Sequence, residues 1–225
     1  MEHEVSPWLL FGMSGLVIIG LSLFAILSTR RLEKMPTSRR QTLIELVVES
    51  LNSFVVGIIG PKGEKYTPFI GTLFIYILAM NLLGLVPGFR APTSSLSITV
   101  SLALVVFAAY NVAGILEVGF VPYLKHLAGE PIWLAPLMLP IHVIGELARP
   151  LSLSVRLFGN MFGEETILVI LAGMTVVIVP YVIGIPTQFP IMVFDVFIAF
   201  VQALVFSMLS TIYIAVAIAG HEEHA

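Results

Sequence analysis

The sequence predicts an all-α polytopic membrane protein of about five transmembrane helices, the last two long, tilted and joined as a hairpin. Three observations lead there. Of the 225 residues, 58% are hydrophobic and only 11% charged, against roughly 25% charged in an average soluble domain. Apolar runs of about 20 residues recur, each enough for a helix to cross ~30 Å of hydrocarbon. One stretch, 131–179, is nearly twice that length and still holds His142, Glu146, Arg149, Arg156, Asn160, Glu164 and Glu165. The whole of 1–225 reads as a single membrane domain. Zero cysteines exclude disulfides, thiolate metal sites and cysteine catalysis. No basic tract points to nucleic acid.

The first span is expected over 8–29, because the acidic start (Glu2, Glu4) lacks the basic region of a cleaved signal. Arg30, Arg31, Lys34, Arg39 and Arg40 follow, opposed only by Glu33. The positive-inside rule puts this 30–65 region in the cytoplasm and the N-terminus outside. Leu43, Leu46, Val47, Leu51 and Phe54, with Glu45 and Glu49 between them, space as an amphipathic helix that is interfacial or packed on protein. We read the basic loop as a topology determinant rather than a specific lipid-headgroup site. Spans at 67–86 and 96–118 flank an outer turn, and Lys125 and His126 mark a short cytoplasmic connection.

The 131–179 stretch would exceed ~60 Å as a helix, about twice the hydrocarbon thickness, so it must tilt, break or both. Pro150 is the expected bend. After a Val179–Pro186 turn, 190–219 forms the last helix, and the tail Gly220–Ala225 falls in the cytoplasm. His221-Glu-Glu-His224 lacks the spacing of zinc hydrolases and reads as a solvated tail.

A guanidinium holds its charge at any physiological pH, and near a bilayer centre it costs roughly 2.5–3.5 kcal/mol on insertion scales. Arg156 is therefore expected to work on an ion pathway rather than to snorkel. At about 100° per residue, Arg149 lies about 20° from Arg156, with Asn160 and His142 each about 40° away. Those four make one polar stripe. Glu146 and Glu164 fall about 80° off it and Glu165 about 180°. Glu146 and Arg149, three residues apart, either pair with each other or serve the pathway. For Glu164 a structural role is the expected one. On the last helix Asp195 and Gln202 share a face, and an antiparallel hairpin brings Gln202 to the depth of Arg156 and Asp195 toward Glu165.

The run Ser152-Leu-Ser-Val-Arg-Leu-Phe-Gly-Asn-Met161, with a glutamate nine residues after its arginine, closely resembles the signature of subunit a of F-type ATP synthases. Asn81-Leu-Leu-Gly-Leu-Val-Pro-Gly-Phe89, the Pro92-Thr93 turn and Val201-Gln-Ala203 are similar to that family as well. The resemblance implies the membrane stator of a rotary motor, with the two long helices against a ring of c subunits. It implies that Arg156 is the essential arginine, Gln202 its neighbour across the hairpin, Asn160 a pathway-lining group and Glu165 the outer half-channel glutamate. Asp195 stands where some members carry histidine, and His142 where many carry glutamate in the inner half-channel; a histidine there keeps a titratable group with a reference pKa near 6.5. Ser97-Ile-Thr99 departs from the Asn-x-Thr often found there and is given no role.

The function implied is proton translocation through two offset half-channels, coupled to rotation and to ATP synthesis elsewhere, by a subunit that is not itself an enzyme. No cofactor and no metal are expected. The partners implied are the c-ring, peripheral-stalk subunit b, the other synthase subunits, membrane lipids and the transported H⁺. A bacterial inner (plasma) membrane is the expected location. Two competing readings remain: a self-contained secondary transporter, which would typically show internal repeats, and a passive assembly subunit.

Overall fold

In a computed structural model the described residues are 7–30, 39–86, 89, 91–123, 135–178 and 188–219. The acidic start, most of the basic loop, the Lys125–His126 connection, the Val179–Pro186 turn and the tail beyond Ala219 lie outside the described residues. Six long helices account for nearly everything described: α1 (Pro7–Thr29), α2 (Arg39–Ile59), α3 (Thr67–Leu83), α4 (Leu96–Val118), α5 (Ala135–Ile178) and α6 (Gln188–Ala219). No strand occurs among the described residues. The protein is thus all-α and polytopic: five of its helices are long and apolar enough to cross a membrane, namely α1, α2, α3 with the turn before it, α4 and α6. The amphipathic 39–59 segment is among them, and α5, longer than any other, spreads Glu146, Arg149, Arg156, Glu164 and Glu165 along its length.

The core lies where α3, α4 and α6 meet. On α3, Ile70, Leu73, Ile77 and Met80 are buried, and on α4, Ala103, Val106, Tyr110 and Ala113, both at the three- and four-residue steps of a helix face. α6 contributes Ala199, Ala203, Phe206 and Ile214. Lipid offers no hydrophobic drive between helices, so small side chains that permit close approach and interhelical hydrogen bonds hold such a bundle together. Gly114 on α4 is one such place: a Cβ there would come within 2.8 Å of the Tyr123 ring and 3.3 Å of the Ala217 carbonyl oxygen.

Asn81 explains why the segment after α3 folds as it does. Thr93 Oγ1 donates to Asn81 Oδ1 at 2.8 Å, and Asn81 Nδ2 reaches the Ala199 carbonyl at 3.4 Å. Both side chains are buried. A buried amide without partners costs several kcal/mol in an apolar medium, so this one residue fastens the end of α3 to the Pro92–Ser94 turn and to the α6 backbone. Gly84 makes the turn possible, since a Cβ would stand 2.8 Å from Ala91 Cβ.

α5 is helical throughout its 44 residues, with Pro140 and Pro150 inside it. It is tilted or bent rather than broken, because an upright helix of that length, about 66 Å, does not fit a ~30 Å slab. Pro150 cannot donate to the carbonyl of Glu146, four residues back. The Tyr110 hydroxyl lies 3.4 Å from that carbonyl, at the outer limit of hydrogen-bond reach. Among the described side chains only a narrow stripe of α5 is buried, Leu153, Ser154, Leu157 and Met161. Its other faces leave Ile144, Leu147, Leu151, Val155 and Phe162 exposed, an apolar surface suited to lipid or to another membrane chain.

Candidate functional site

Arg156 sits near the middle of α5, one residue from the buried Leu157, and its own side chain is exposed among Leu151 and Val155. Among the described residues it makes no ion pair or hydrogen bond. A permanent cation presented outward on an apolar face is costly unless an anion meets it there. One turn further along α5, Asn160 Nδ2 donates to Gln202 Oε1 at 2.5 Å. Gln202 is buried on α6, and its Nε2 has no partner. The structure therefore couples Gln202 to Asn160, four residues beyond Arg156 on the same stripe.

Toward Ile178, Glu164 on α5 and Asp195 on α6 come near each other. The pairings 160 with 202 and 164 with 195 run in opposite senses along the two helices, so α5 and α6 are antiparallel. Asp195 is buried, and Asp195 Oδ2 and Glu164 Oε2 are both buried without hydrogen-bond partners. Two buried carboxyl oxygens without partners make this end of α5 an acidic cluster. Glu165 is helical, and its side chain lies outside the described residues. Glu164 is thus a site residue for which the sequence suggested a structural role; the signal was its one-residue offset from Glu165, which turns it toward α6.

Toward Ala135 a different kind of cluster forms. Arg149 Nη1 pairs with Glu146 Oε1 at 2.6 Å, and the Tyr110 hydroxyl donates to Glu146 Oε2 at 2.7 Å. The guanidinium lies over two rings, 5.8 Å from the centroid of Tyr110 and 5.5 Å from that of Tyr213. Cation–π attraction over such a distance is worth about 0.5–2 kcal/mol. Beside them Tyr123, after the end of α4, donates to Asn111 Oδ1 at 2.7 Å; burial first, and the Glu146 carboxylate second, hold its hydroxyl above the usual tyrosine range. His142 lies half-buried one turn before Glu146 and is engaged with a neighbour. None of the tyrosines was legible as a site residue, though a tyrosine on a core-facing helix stripe always needs a partner for its polar tip. Among the described residues no cluster of side chains could hold a metal ion.

The eight residues singled out from the sequence therefore separate into an exposed arginine, one amide pair beside it, an acidic end and a tyrosine-lined ion-pair end. The family model described as ATP synthase A chain matches residues 10–215. ATP synthase subunit a of Protochlamydia amoebophila is 45% identical over 202 residues, 86% of this chain and 74% of that one. ATP synthase subunit a 1 of Syntrophotalea carbinolica is 43% identical over 215 residues, 96% of this chain and 85% of its own length. ATP synthase subunit a of Geobacter sulfurreducens is 41% identical over 199 residues, covering 88% and 82%. With the arginine motif on its long polar helix and a family match over nearly its whole length, the chain belongs to the ATP synthase A chain family, a multi-pass membrane component of the ATP synthase complex.

Proposed function

We propose that this chain is the proton-translocating stator subunit of an F-type ATP synthase, presenting two offset half-channels to a c-ring. The observation that carries the reading is the position of Arg156: an outward-facing cation between an acidic cluster at one end of α5 and a separate ion-pair cluster at the other. A proton enters from outside through the end marked by Asp195, Glu164 and Glu165, whose carboxyls take it up and hand it on. It neutralises a rotor carboxylate, which can then turn into lipid uncharged. After nearly a full turn the carboxyl meets the inner side, near His142, Glu146 and Arg149, and loses its proton. Arg156 draws the ionised rotor group toward it and, unable to release a proton itself, keeps the two half-channels from joining. Asn160 and Gln202 hold the turn of α5 beside it. Each elementary charge crossing contributes about 2.3 kcal/mol per 100 mV.

In this reading the chain binds no cofactor and performs no chemistry; ATP forms in other subunits of the complex. Its partners are the c-ring, the peripheral-stalk subunit b and lipid, in a bacterial inner membrane with the N-terminus outside and the C-terminus in the cytoplasm. The test is Arg156→Ala in the assembled complex. Proton-driven ATP synthesis should be lost while subunit a remains in the complex. Synthesis at the parent rate would reduce the chain to a passive anchor.

A further inference from the structure

Arg149 and Arg156 are near-equivalents on the helix wheel, about 20° apart and roughly 10 Å along the axis. Two free guanidiniums at that spacing would compete for the same rotor carboxylate, and the one nearer the exit would repel every proton leaving. The structure treats them differently. Arg156 is exposed and makes no ion pair among the described residues. Arg149 is half-buried, paired with Glu146 Oε1 at 2.6 Å and held over the Tyr110 and Tyr213 rings. The second carboxylate oxygen of Glu146 is taken by the Tyr110 hydroxyl at 2.7 Å. Both oxygens of Glu146 are thus occupied, as expected of a partner that holds a guanidinium rather than one that passes protons.

We infer that Glu146 and Tyr110 are positioning residues that mask the charge of Arg149, leaving Arg156 as the free positive charge on this stretch of α5. The inference rests on the stator reading and refines it: Glu146 serves the inner half-channel as a fixed anion. The groups beside the pair are Tyr110 on α4, Tyr123 after α4 and Tyr213 on α6, and His142 lies one turn before Glu146 on α5. Tyr110 is suited to the role by more than its hydroxyl. That same oxygen reaches the Glu146 backbone carbonyl at 3.4 Å, the acceptor that Pro150 leaves without its helical donor. One tyrosine therefore holds the Glu146 carboxylate and lies against its backbone carbonyl, with a single proton to give to one or the other.

The charge account makes a demand that a relay or a scaffold does not. Glu146→Gln uncovers Arg149 and should slow proton-driven ATP synthesis by about tenfold, the size of one uncompensated charge acting across about 10 Å at an effective dielectric near 20. Adding Arg149→Gln removes the uncovered charge and should return the rate to within about twofold of the parent. The measurement is the synthesis rate in membrane vesicles carrying the full complex, normalised to assembled subunit a, with Arg156→Ala alongside. A double variant as slow as Glu146→Gln alone would make Glu146 a relay and overturn the inference. An Arg149→Gln variant as impaired as Glu146→Gln would make the pair a scaffold and overturn it too. Should Glu146→Gln fail to assemble, Tyr110→Phe keeps the ring and removes only the hydroxyl. Its expected smaller slowing must likewise be relieved by Arg149→Gln, and persistence of the slowing counts against masking. Arg156→Ala separates the two levels: coupled synthesis in that variant would sink the stator reading itself, whatever the Arg149 variants do.

Discussion

Gln202→Leu tests whether the hydrogen bond across the hairpin belongs to the working state. In the structure Asn160 Nδ2 donates to Gln202 Oε1 at 2.5 Å, while Gln202 Nε2 is buried with no partner. Those two facts push in opposite directions. An interhelical hydrogen bond in a membrane protein is worth about 0.6 kcal/mol on average and ~1.7 at most, whereas a buried polar atom left unpaired costs about 1–3 kcal/mol. Leucine at 202 removes both, so the assembled subunit should be no less stable and should resist thermal inactivation slightly better. Proton-driven synthesis should nevertheless fall, by about threefold to eighteenfold, if the bond fixes the turn of α5 next to Arg156. Asn160→Leu should show a loss of the same order, and the double variant no more than the worse single, because one bond cannot be lost twice. The assay is the initial rate of ATP synthesis in vesicles under an imposed proton gradient, per assembled complex, together with a thermal inactivation half-life. Independent losses that multiply in the double variant would refute a shared bond. A fall in half-life matching the fall in rate would show that the bond supports the fold rather than the pathway.

Three further outcomes follow from the geometry. Asp195→Asn and Glu164→Gln should each slow proton-driven synthesis by about tenfold or more; the double variant, measured in the same vesicles, should fall short of the product of the two, since the carboxyls come near each other. Gly84→Ala puts a Cβ 2.8 Å from that of Ala91 and should destabilise the subunit by about 1–3 kcal/mol; Ala91→Gly should restore its thermal half-life, and a failure of that rescue would place the strain elsewhere. Thr93→Val removes the donor to Asn81 Oδ1 and should cost about 0.6–1.7 kcal/mol in an equilibrium unfolding titration, with no further cost when Asn81 is also replaced by leucine.

Composition alone sufficed for the helical membrane class, because 58% hydrophobic residues with 11% charged leave few other ways to satisfy a backbone in lipid. Helical spacing then sufficed for what one helix can tell about itself: Arg149, Arg156 and Asn160 on one stripe, and Glu146 three residues from Arg149. Spacing is silent about what a neighbouring helix brings. Tyr110 is 36 residues before Glu146, and Asn81 bonds to Thr93 nearby and to a backbone oxygen 118 residues away. Their partners follow from how α3, α4, α5 and α6 pack, which no local period encodes. Glu164 is the instructive intermediate. Its angle off the stripe was readable, but only the antiparallel packing of α6 turns that angle into proximity to Asp195.

Under the proposed stator reading, the 44 residues of α5 carry a geometric consequence for the direction of rotation. From Glu146 to Glu164 the axis advances about 27 Å, nearly a full membrane thickness. On an upright helix the two clusters would stand one above the other, and a rotor group could serve both from a single position, with no reason to turn. A helix too long to stand upright works as a ramp: it converts part of that climb into sideways travel along the rotor's rim. In the proposed motor, the sense in which the ramp leans would then set which way the ring must turn to carry a proton by the long way round, so handedness would be written into the inclination of one helix.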